Sequence, residues 1–479
     1  MGTVFRTNDP TQFDDIDGII IDEQTPASSI TGVDSNVGIL VGQFQRGPKE
    51  LSLPLNSLAE LHEVYGRSSY LGNIQLRNKS FGRVRIIRVV AQDALTASFT
   101  DNDGVANIEA LHAGEYGNNI ELTVEAGSVS GFKLIVVDKN PQSVLTTEVY
   151  DNVDVENIGN TFANSNLIKF TIIDPFVGPI QPIAATLLQG GSDGSIADTD
   201  YEEAIARAEV SQAGNVLFLD ENNSTRNQYL RTHVAETQDK MVIIAGDVST
   251  DLAGAIADVE NYRDTDGRII YAWPWVQTTI DGAQQLTNPS AWAASVFTQT
   301  APNVALSFVD NARFLQGVTG LAYETGRNGH ISLDAAGIMA FERKQTIGVV
   351  IKNAVTTQLL NSQKRVILRR RMADFLQDSI AELLLNYQND INSKQVRTEV
   401  QAAIIAFDTL LVEAGVLPGE QDVNGGGALL VDTETLNTDN SIAQGLFKIA
   451  YRRRIFSSMR YIVLVADIGT NVVVTEEEG

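Results

Sequence analysis

The chain of 479 residues contains no cysteine. Its absence excludes a disulfide framework, a thiolate nucleophile and a cysteine zinc site. It suits a protein made in a reducing cytoplasm, or one that must outlast a change of redox compartment. The dipeptide Gly-Lys is also missing, which removes the Walker A phosphate loop. Histidine is scarce, and His62, His112, His233 and His330 show no H-x-x-x-H spacing, so no metal site is expected. Cations are outnumbered, 35 Lys and Arg against 60 Asp and Glu, and the formal charge of −25 argues against a free-standing nucleic-acid binder. Long apolar runs are lacking too. Val37–Val41 and Tyr461–Ala466 are strand-sized, well short of the roughly 18–20 residues a membrane helix needs. The opening MGTVFRTNDP has no basic region followed by an apolar run, so no signal peptide is expected. What is present, 43% hydrophobic and 20% charged residues, fits a folded chain of two to four domains.

Residues 7–45 carry no Lys or Arg but hold Asp9, Asp14, Asp15, Asp17, Asp22, Glu23 and Asp34. The apolar triplet Ile19–Ile21 within this acidic arm has no core of its own and points to a partner. Val37–Gly42 and Val84–Val90 read as buried strands. Ser57-Leu58-Ala59-Glu60 reads as a capping box and Gly66 as the stop of the helix after it. From Ala94 to Leu187 short alternating runs, such as Ile120–Val124, Phe132–Val137 and Ile168–Ile173, predict an all-β insertion. Beyond it the pattern alternates: strand Asn215–Asp220, a helix capped by Ser224, strand Met241–Gly246, helix Thr250–Arg263 and strand Arg268–Trp273. Such alternation predicts parallel strands with right-handed crossovers. Apolar spacings of three and four predict helices over Arg365–Asn389 and Val396–Ala414, the second ended by Gly415. Phe447–Thr475 is mostly strand-like, with Tyr461–Ala466 and Asn471–Thr475 flanking Gly469.

One segment admits two opposite functions. Gly190-Gly191-Ser192-Asp193-Gly194 satisfies the G-x-S-x-G pattern of a hydrolase elbow, with Ser192 as nucleophile. It equally reads as a glycine turn that starts a helix near Thr199. An elbow needs a strong strand before the serine, a helix directly after it and a histidine base. Ala184–Gln189 is a weak strand and neither His233 nor His330 lies in a recognisable base context, so the turn is favoured. Gly425-Gly426-Gly427 has no strand leading into it and reads as a loop. Asp101-Asn102-Asp103-Gly104 lacks the later oxygens of a calcium loop. Asp220 and Asp247 stand at strand ends where an α/β fold can bind a ligand, but without a phosphate loop they read as turn formers. Two basic clusters stand out in the acidic chain: Lys364, Arg365, Arg369, Arg370 and Arg371, and Arg452, Arg453 and Arg454. Cations at a helix N-terminus oppose the macrodipole and need other support, so an acidic partner surface is expected to compete with a plain solvated face.

Several motifs in order resemble the contractile tail sheath family of phages and related injection machines. They are L-x-G-G-S-D-G ending at Gly194 with Asp200-Tyr201, VGILVG at Val37–Gly42 followed by Phe44-Gln45-Arg46-Gly47-Pro48, and Ser57-Leu58-Ala59-Glu60-Leu61 through Tyr65-Gly66. Gly114-Glu115-Tyr116-Gly117-Asn118, Tyr271-Ala272-Trp273-Pro274-Trp275-Val276, Arg369-Arg370-Arg371 and Leu436-Asn437-Thr438-Asp439 continue the series across nearly the whole chain. Val349–Thr356 and Arg454–Tyr461 depart from the family pattern, which marks a divergent branch.

The resemblance implies a multi-domain α/β (mixed α+β) fold, an α/β core with an inserted all-β domain and extended terminal arms. The expected division is an arm at 1–32, core at 33–93, insertion at 94–187, core at 188–460 and a terminal strand at 461–479. It implies a structural subunit, with no enzyme activity and no cofactor, that polymerises helically around a tail tube and contracts to drive the tube through a host envelope. Partners would be other copies, the tube protein, and baseplate and tail terminator proteins, with no direct nucleic acid or membrane insertion. The place would be a virion tail assembled in the host cytoplasm. Strand exchange between copies would use Ile19, Ile20 and Ile21 with Tyr461, Ile462, Val463, Leu464, Val465, Val472, Val473 and Val474. Lys364, Arg369, Arg370, Arg371, Arg452, Arg453 and Arg454 are the expected electrostatic contacts to tube or subunit. A hydrolase or ligand-binding α/β protein acting through Ser192 is the alternative.

Overall fold

The computed structural model describes residues 4–7, 19–22, 32–34, 36–67, 71–72, 83–100, 106–140, 146–154, 158–172, 180–210, 216–280, 282–307, 315, 317–345, 347–359, 363–423 and 427–458. At the N-terminus β1 (Val4–Thr7) and β2 (Ile19–Asp22) pair in parallel, with Val4 opposite Ile19. Next comes β3 (Val37–Gly42), buried at every position. Its VGILVG run has no polar face because a parallel strand in a sheet interior is covered on both sides. Helix α1 (Leu58–Tyr65) follows. Ser57 Oγ accepts from Glu60 N–H at 3.2 Å, while the Glu60 carboxylate accepts from Asn56 N–H at 2.7 Å, one residue before the cap. Gly66 closes the helix at φ +80°. Then β4 (Arg83–Arg88) pairs in parallel with β3.

The chain now leaves the sheet. β5 (Ser98–Thr100), β6 (Ala106–Ala110) and β10 (Ile168–Ile172) form one antiparallel sheet. β7 (Ile120–Ala126), β8 (Phe132–Asp138), β9 (Thr147–Val153) and β11 (Ile183–Leu187) form another. Alternation in β8 is strict: Phe132, Leu134 and Val136 are buried and their neighbours are partly exposed. The core of this region draws on residues from Ala97 to Leu188 and includes Tyr116, Ile120, Phe132 and Phe162.

After helix α2 (Asp198–Ala206), the chain returns to the first sheet. β12 (Val216–Leu219), α3 (Ser224–Thr237), β13 (Met241–Ala245), α4 (Leu252–Asp258) and β14 (Ile269–Trp273) alternate as the pattern implies. β15 (Val276–Ile280), β16 (Ala283–Thr287) and β17 (Val318–Leu321) make a small antiparallel sheet beside α5 (Pro289–Gln299). Helix α6 (Arg327–Ala335), β18 (Ile338–Lys344) and β19 (Gly348–Ile351) complete the core. The seven-stranded order is β19-β18-β14-β13-β12-β3-β4, all parallel except the β19 edge. α5 covers one face through Trp292, Val296 and Phe297. α2, α3 and α4 cover the other through Tyr201, Leu230 and Ala255. Helices on both faces of a parallel sheet are what its apolar strands require.

Last come α7 (Ile367–Leu385), α8 (Lys394–Glu413) and the hairpin β20 (Leu429–Asp432) with β21 (Ala450–Arg453). Met372, Phe375, Leu376, Val400, Ile404 and Phe407 form their shared core. Several ends differ from expectation. Asn223, not Ser224, caps α3, its side-chain oxygen accepting from Arg226 N–H at 2.8 Å. α4 begins after its Asp251 cap and gives way to a tighter turn over Val259–Tyr262. α7 starts at Ile367, because Arg365 and Val366 are held extended against Val355 and Thr356. Within Phe447–Thr475 the described strand is Ala450–Arg453, and Tyr461–Ala466 and Asn471–Thr475 lie outside the described residues.

Candidate functional site

The glycine turn lies between β11 and α2. Gly190 and Gly194 adopt φ of +82° and +67°, which favours glycine. Ser192 is tied by its backbone: it donates to Leu95 O at 3.0 Å and accepts from Leu95 N–H at 2.9 Å. Its hydroxyl accepts from Gly194 N–H at 3.2 Å, closing a local turn. Among the described residues no histidine hydrogen-bonds Ser192, and α2 starts only at Asp198. The strand, serine and helix of an elbow are therefore not contiguous here.

What the turn touches is a second motif. Asn118 Nδ2 donates to Gly191 O and its Oδ1 accepts from Gly191 N–H, both at 2.8 Å. Asp193 Oδ1 accepts from Glu115 N–H at 2.9 Å. A Cβ on Gly191 would lie 2.5 Å from Gly114 O, so only glycine lets the two loops meet. Below them, Arg88 is buried and donates to the carbonyls of Phe44 at 3.0 Å, Gln45 and Gly47 at 3.3 Å, and Ala113 at 2.9 Å. Burial lowers its pKa to about 10, which still leaves it charged at neutral pH. Arg46 forms a 2.7 Å ion pair with Asp138, both side chains buried. The joint between sheet and β-rich region is thus built from Arg46, Arg88, Asp138 and the two glycine loops. Sequence reading placed Arg46 in a motif but gave none of the three charged residues a part in this joint. The signal for Arg88 was a cation inside an apolar run, and none marked Asp138.

The sheet reverses its strand order between β3 and β12, where α/β folds open a ligand crevice at the carboxyl ends. Here the chain fills that place itself. The Asp220 carboxylate accepts from Gln43 N–H and from the Tyr201 hydroxyl, each at 2.7 Å. Gln43 Nε2 also donates to Tyr201 Oη at 3.2 Å, and the Arg226 guanidinium lies 3.8 Å over the Tyr201 ring. Asn288 Nδ2 donates to Asn222 Oδ1 at 2.6 Å, and Asn227 Nδ2 donates to Ala245 O at 2.9 Å. A Cβ on Gly42 would lie 2.7 Å from Asp220 Cγ. Burial raises the Asp220 pKa to about 6, outweighing its two hydrogen bonds. Asp247 caps its own turn, accepting from Ser249 N–H at 2.9 Å.

The basic clusters separate. Arg371 is buried and donates to Thr300 O at 2.6 Å and Phe297 O at 3.1 Å, with its guanidinium 4.0 Å over the Phe297 ring. Burial lowers its pKa to about 9. Arg453 donates to Asp408 at 2.6 Å and to Pro418 O at 2.8 Å, and its side chain is 2% exposed. These two cations face inward, so an outward contact from their side chains is corrected to an internal one. Their support is the α5 carbonyls and Asp408. Arg370 pairs with Asp374, which also binds Arg268 at 3.2 Å, and Lys364 pairs with Asp266. Arg369 is half-buried and donates to Ser457 Oγ at 2.8 Å. Arg452 and Arg454 are exposed on and just after β21. Ile19, Ile20 and Ile21 lie in β2 opposite Val4, Phe5 and Arg6. Tyr461, Ile462, Val463, Leu464, Val465, Val472, Val473 and Val474 lie outside the described residues, as do Gly425, Gly426 and the Asp101–Gly104 turn. A cleft of about 1320 Å³ opens between α6, the residues around β19 and residues 456–458. Among the described residues no group of His, Asp and Glu could hold a metal, and no helix is long and apolar enough to cross a membrane.

No protein-family model and no curated protein sequence matches the chain. Solved structures do. A sheath tail protein from Listeria innocua is 16% identical, with a TM-score of 0.63 over 86% of this chain and 90% of that one. A sheath tail protein from Desulfitobacterium hafniense is 15% identical, with a TM-score of 0.60 over 87% and 94%. The helical sheath of the anti-feeding prophage in its contracted state is 14% identical, with a TM-score of 0.59 over 94% and 99%. This chain is built, almost from end to end, on the fold of contractile tail sheath proteins.

Proposed function

We propose that the protein is the sheath subunit of a contractile tail or injection particle. Copies polymerise helically around a tail tube, and contraction drives the tube through a host envelope. The observation that carries this reading is the span of the fold likeness, 94% of this chain on 99% of a helical sheath protein. Other features support it. The place where an α/β fold takes a ligand is occupied by Asp220, Tyr201 and Gln43, and Ser192 is spent on a turn. Both fit a structural subunit better than an enzyme.

Self-assembly is the first partnership, and baseplate, terminator and tube proteins are the others. A helical polymer needs contacts that do not close on themselves. Main-chain pairing of β2 and residues 461–474 with neighbouring copies supplies them, and such links persist while rigid bodies turn about them. The exposure of Arg452 and Arg454 supports an electrostatic contact to a tube or a neighbour. Particles of this kind are assembled in a host cytoplasm and act as a virion tail. Negative-stain microscopy of purified protein tests the reading. Striated tubes are expected. Compact monomers with esterase activity that Ser192→Ala abolishes would replace it with the hydrolase.

A further inference from the structure

Two distant parts of the chain meet at the α7–α8 core. Val431, Tyr451 and Ile455 of the C-terminal hairpin region pack there, and so does Val33 from the segment before β3. Residues 32–34 and 36 form a strap that belongs to no strand or helix. Side chains of α7 fix its path. A Cβ on Gly32 would lie 2.9 Å from Phe375 Cζ and 3.0 Å from Phe375 Cε2, so the main chain runs where a side chain does not fit. Val33 N–H donates to Ser379 Oγ at 3.1 Å, across 346 residues. Ser379 is fully buried, and its hydroxyl donates in turn to Phe375 O at 2.7 Å. A hydroxyl has one hydrogen and two lone pairs, so both bonds are made at once. Asn36 Oδ1 accepts from Arg371 at 3.3 Å, and the same guanidinium holds Thr300 O and Phe297 O. Strap, α5 and α7 therefore share one buried cation.

We infer that Gly32, Val33 and Ser379 clamp the base of the N-terminal arm on α7, and are positioning residues for its pairing with a neighbouring copy. The inference rests on the reading of the arm as a strand given to a neighbour. Residues 1–31 continue from Gly32, so the arm sets out from the α7–α8 unit whatever path it takes beyond. A segment outside a ladder has few main-chain bonds to direct it, and a donor that loses its buried acceptor is costly. A link between copies gains from a fixed origin. An anchored base keeps the strand near one place, and a loosened base spreads it over a larger volume. Asp34 also pairs with Arg83 on β4, but both side chains are partly exposed and such pairs hold weakly. The buried contacts of the clamp lie on α7, so a pull on the arm is borne by the helices before it reaches β3.

The test follows tube formation of the full chain by light scattering, with a melting temperature for every variant. Gly32→Val sets a branched side chain against Phe375. Its initial rate of assembly should fall about fivefold, the equivalent of about 1 kcal/mol, at an unchanged melting temperature. Adding Phe375→Leu removes the ring atoms in the way. The double variant should regain most of the rate while melting earlier, because the α7–α8 core loses packing. A role in stability alone would lower rate and melting temperature together. In the monomer, Ser379→Ala should speed hydrogen exchange of the Val33 amide about tenfold. No recovery in the double variant, or an unchanged Val33 amide, overturns the clamp. A chain lacking residues 1–28 separates the two readings. Normal assembly of that deletion overturns strand exchange, and the role of the clamp with it. Loss of assembly there, with full assembly by Gly32→Val, overturns the clamp alone.

Discussion

Gly191 leaves no room for a side chain, while Ser192 beside it has room and little to do. Alanine at 191 would drive a methyl against Gly114 O, and the two loops would have to part. Gly191→Ala is expected to cost about 1–3 kcal/mol, and Ser192→Ala about 1 kcal/mol or less. Urea denaturation of both variants checks the order, and the reverse order would restore a special role to the serine. Asp220 makes a pH prediction. Its carboxyl titrates near 6 when folded against 3.8 as the reference, so the folded chain holds the extra proton between those values. Stability contributed by this group is full below 3.8 and is lost as pH rises through 6, on the order of 3 kcal/mol in all. Asp220→Asn should remove that slope. Thermal melts from pH 4 to 7 measure it, and parallel curves for the two proteins would refute the assignment.

At the scale of elements, Arg371 joins α7 to the end of α5. At the end of α5 the Phe297 carbonyl accepts from Thr300 N–H, and Arg371 adds donors to that carbonyl and to Thr300 O just past the helix, with positive charge at the negative end of the dipole. Arg371→Met should cost about 2–3 kcal/mol by removing the donors to the buried Thr300 and Phe297 carbonyls. Arg452→Glu, on an exposed strand position, should change stability by less than about 0.5 kcal/mol. The pair of denaturation curves separates a structural cation from a surface one. The joint of sheet and β-rich region behaves the same way. Arg46→Ala strands Asp138 without its cation, and a loss of about 3–5 kcal/mol is expected, read as earlier protease cleavage within residues 98–187.

At the scale of the whole molecule, strand exchange makes a prediction about the N-terminal pair. β1 and β2 pair only with each other among the described strands, a two-stranded parallel unit with both outer edges open. Isolated pairs of this kind are weak in water and gain by adding strands. Deleting residues 1–28 should therefore leave a soluble monomer with an unchanged melting profile for the core. Size-exclusion chromatography and microscopy check it, and normal polymerisation of the deletion would end the strand-exchange proposal.

Local order was legible where one residue type has one physical use. VGILVG announced a buried strand at Val37–Gly42, Ser57 and Gly66 bounded α1, and Gly415, at φ +68°, followed α8. Alternation after Asn215 announced parallel strands. The absences of cysteine and Gly-Lys excluded whole chemistries. Other features needed the tertiary structure. β3 lies beside β12 although about 180 residues separate them, and Arg46 meets Asp138 across 92. No periodicity records which strand becomes a neighbour, because pairing is set by crossovers and twist. Nor does a sequence show whether a cation faces water. Arg369, Arg370 and Arg371 are consecutive, yet 100° steps around α7 send one to Ser457, one to Asp374 and one into the core. The sequence determined the elements and the kinds of site that could not exist. The fold decided which polar groups satisfy one another, and therefore which remain for a partner.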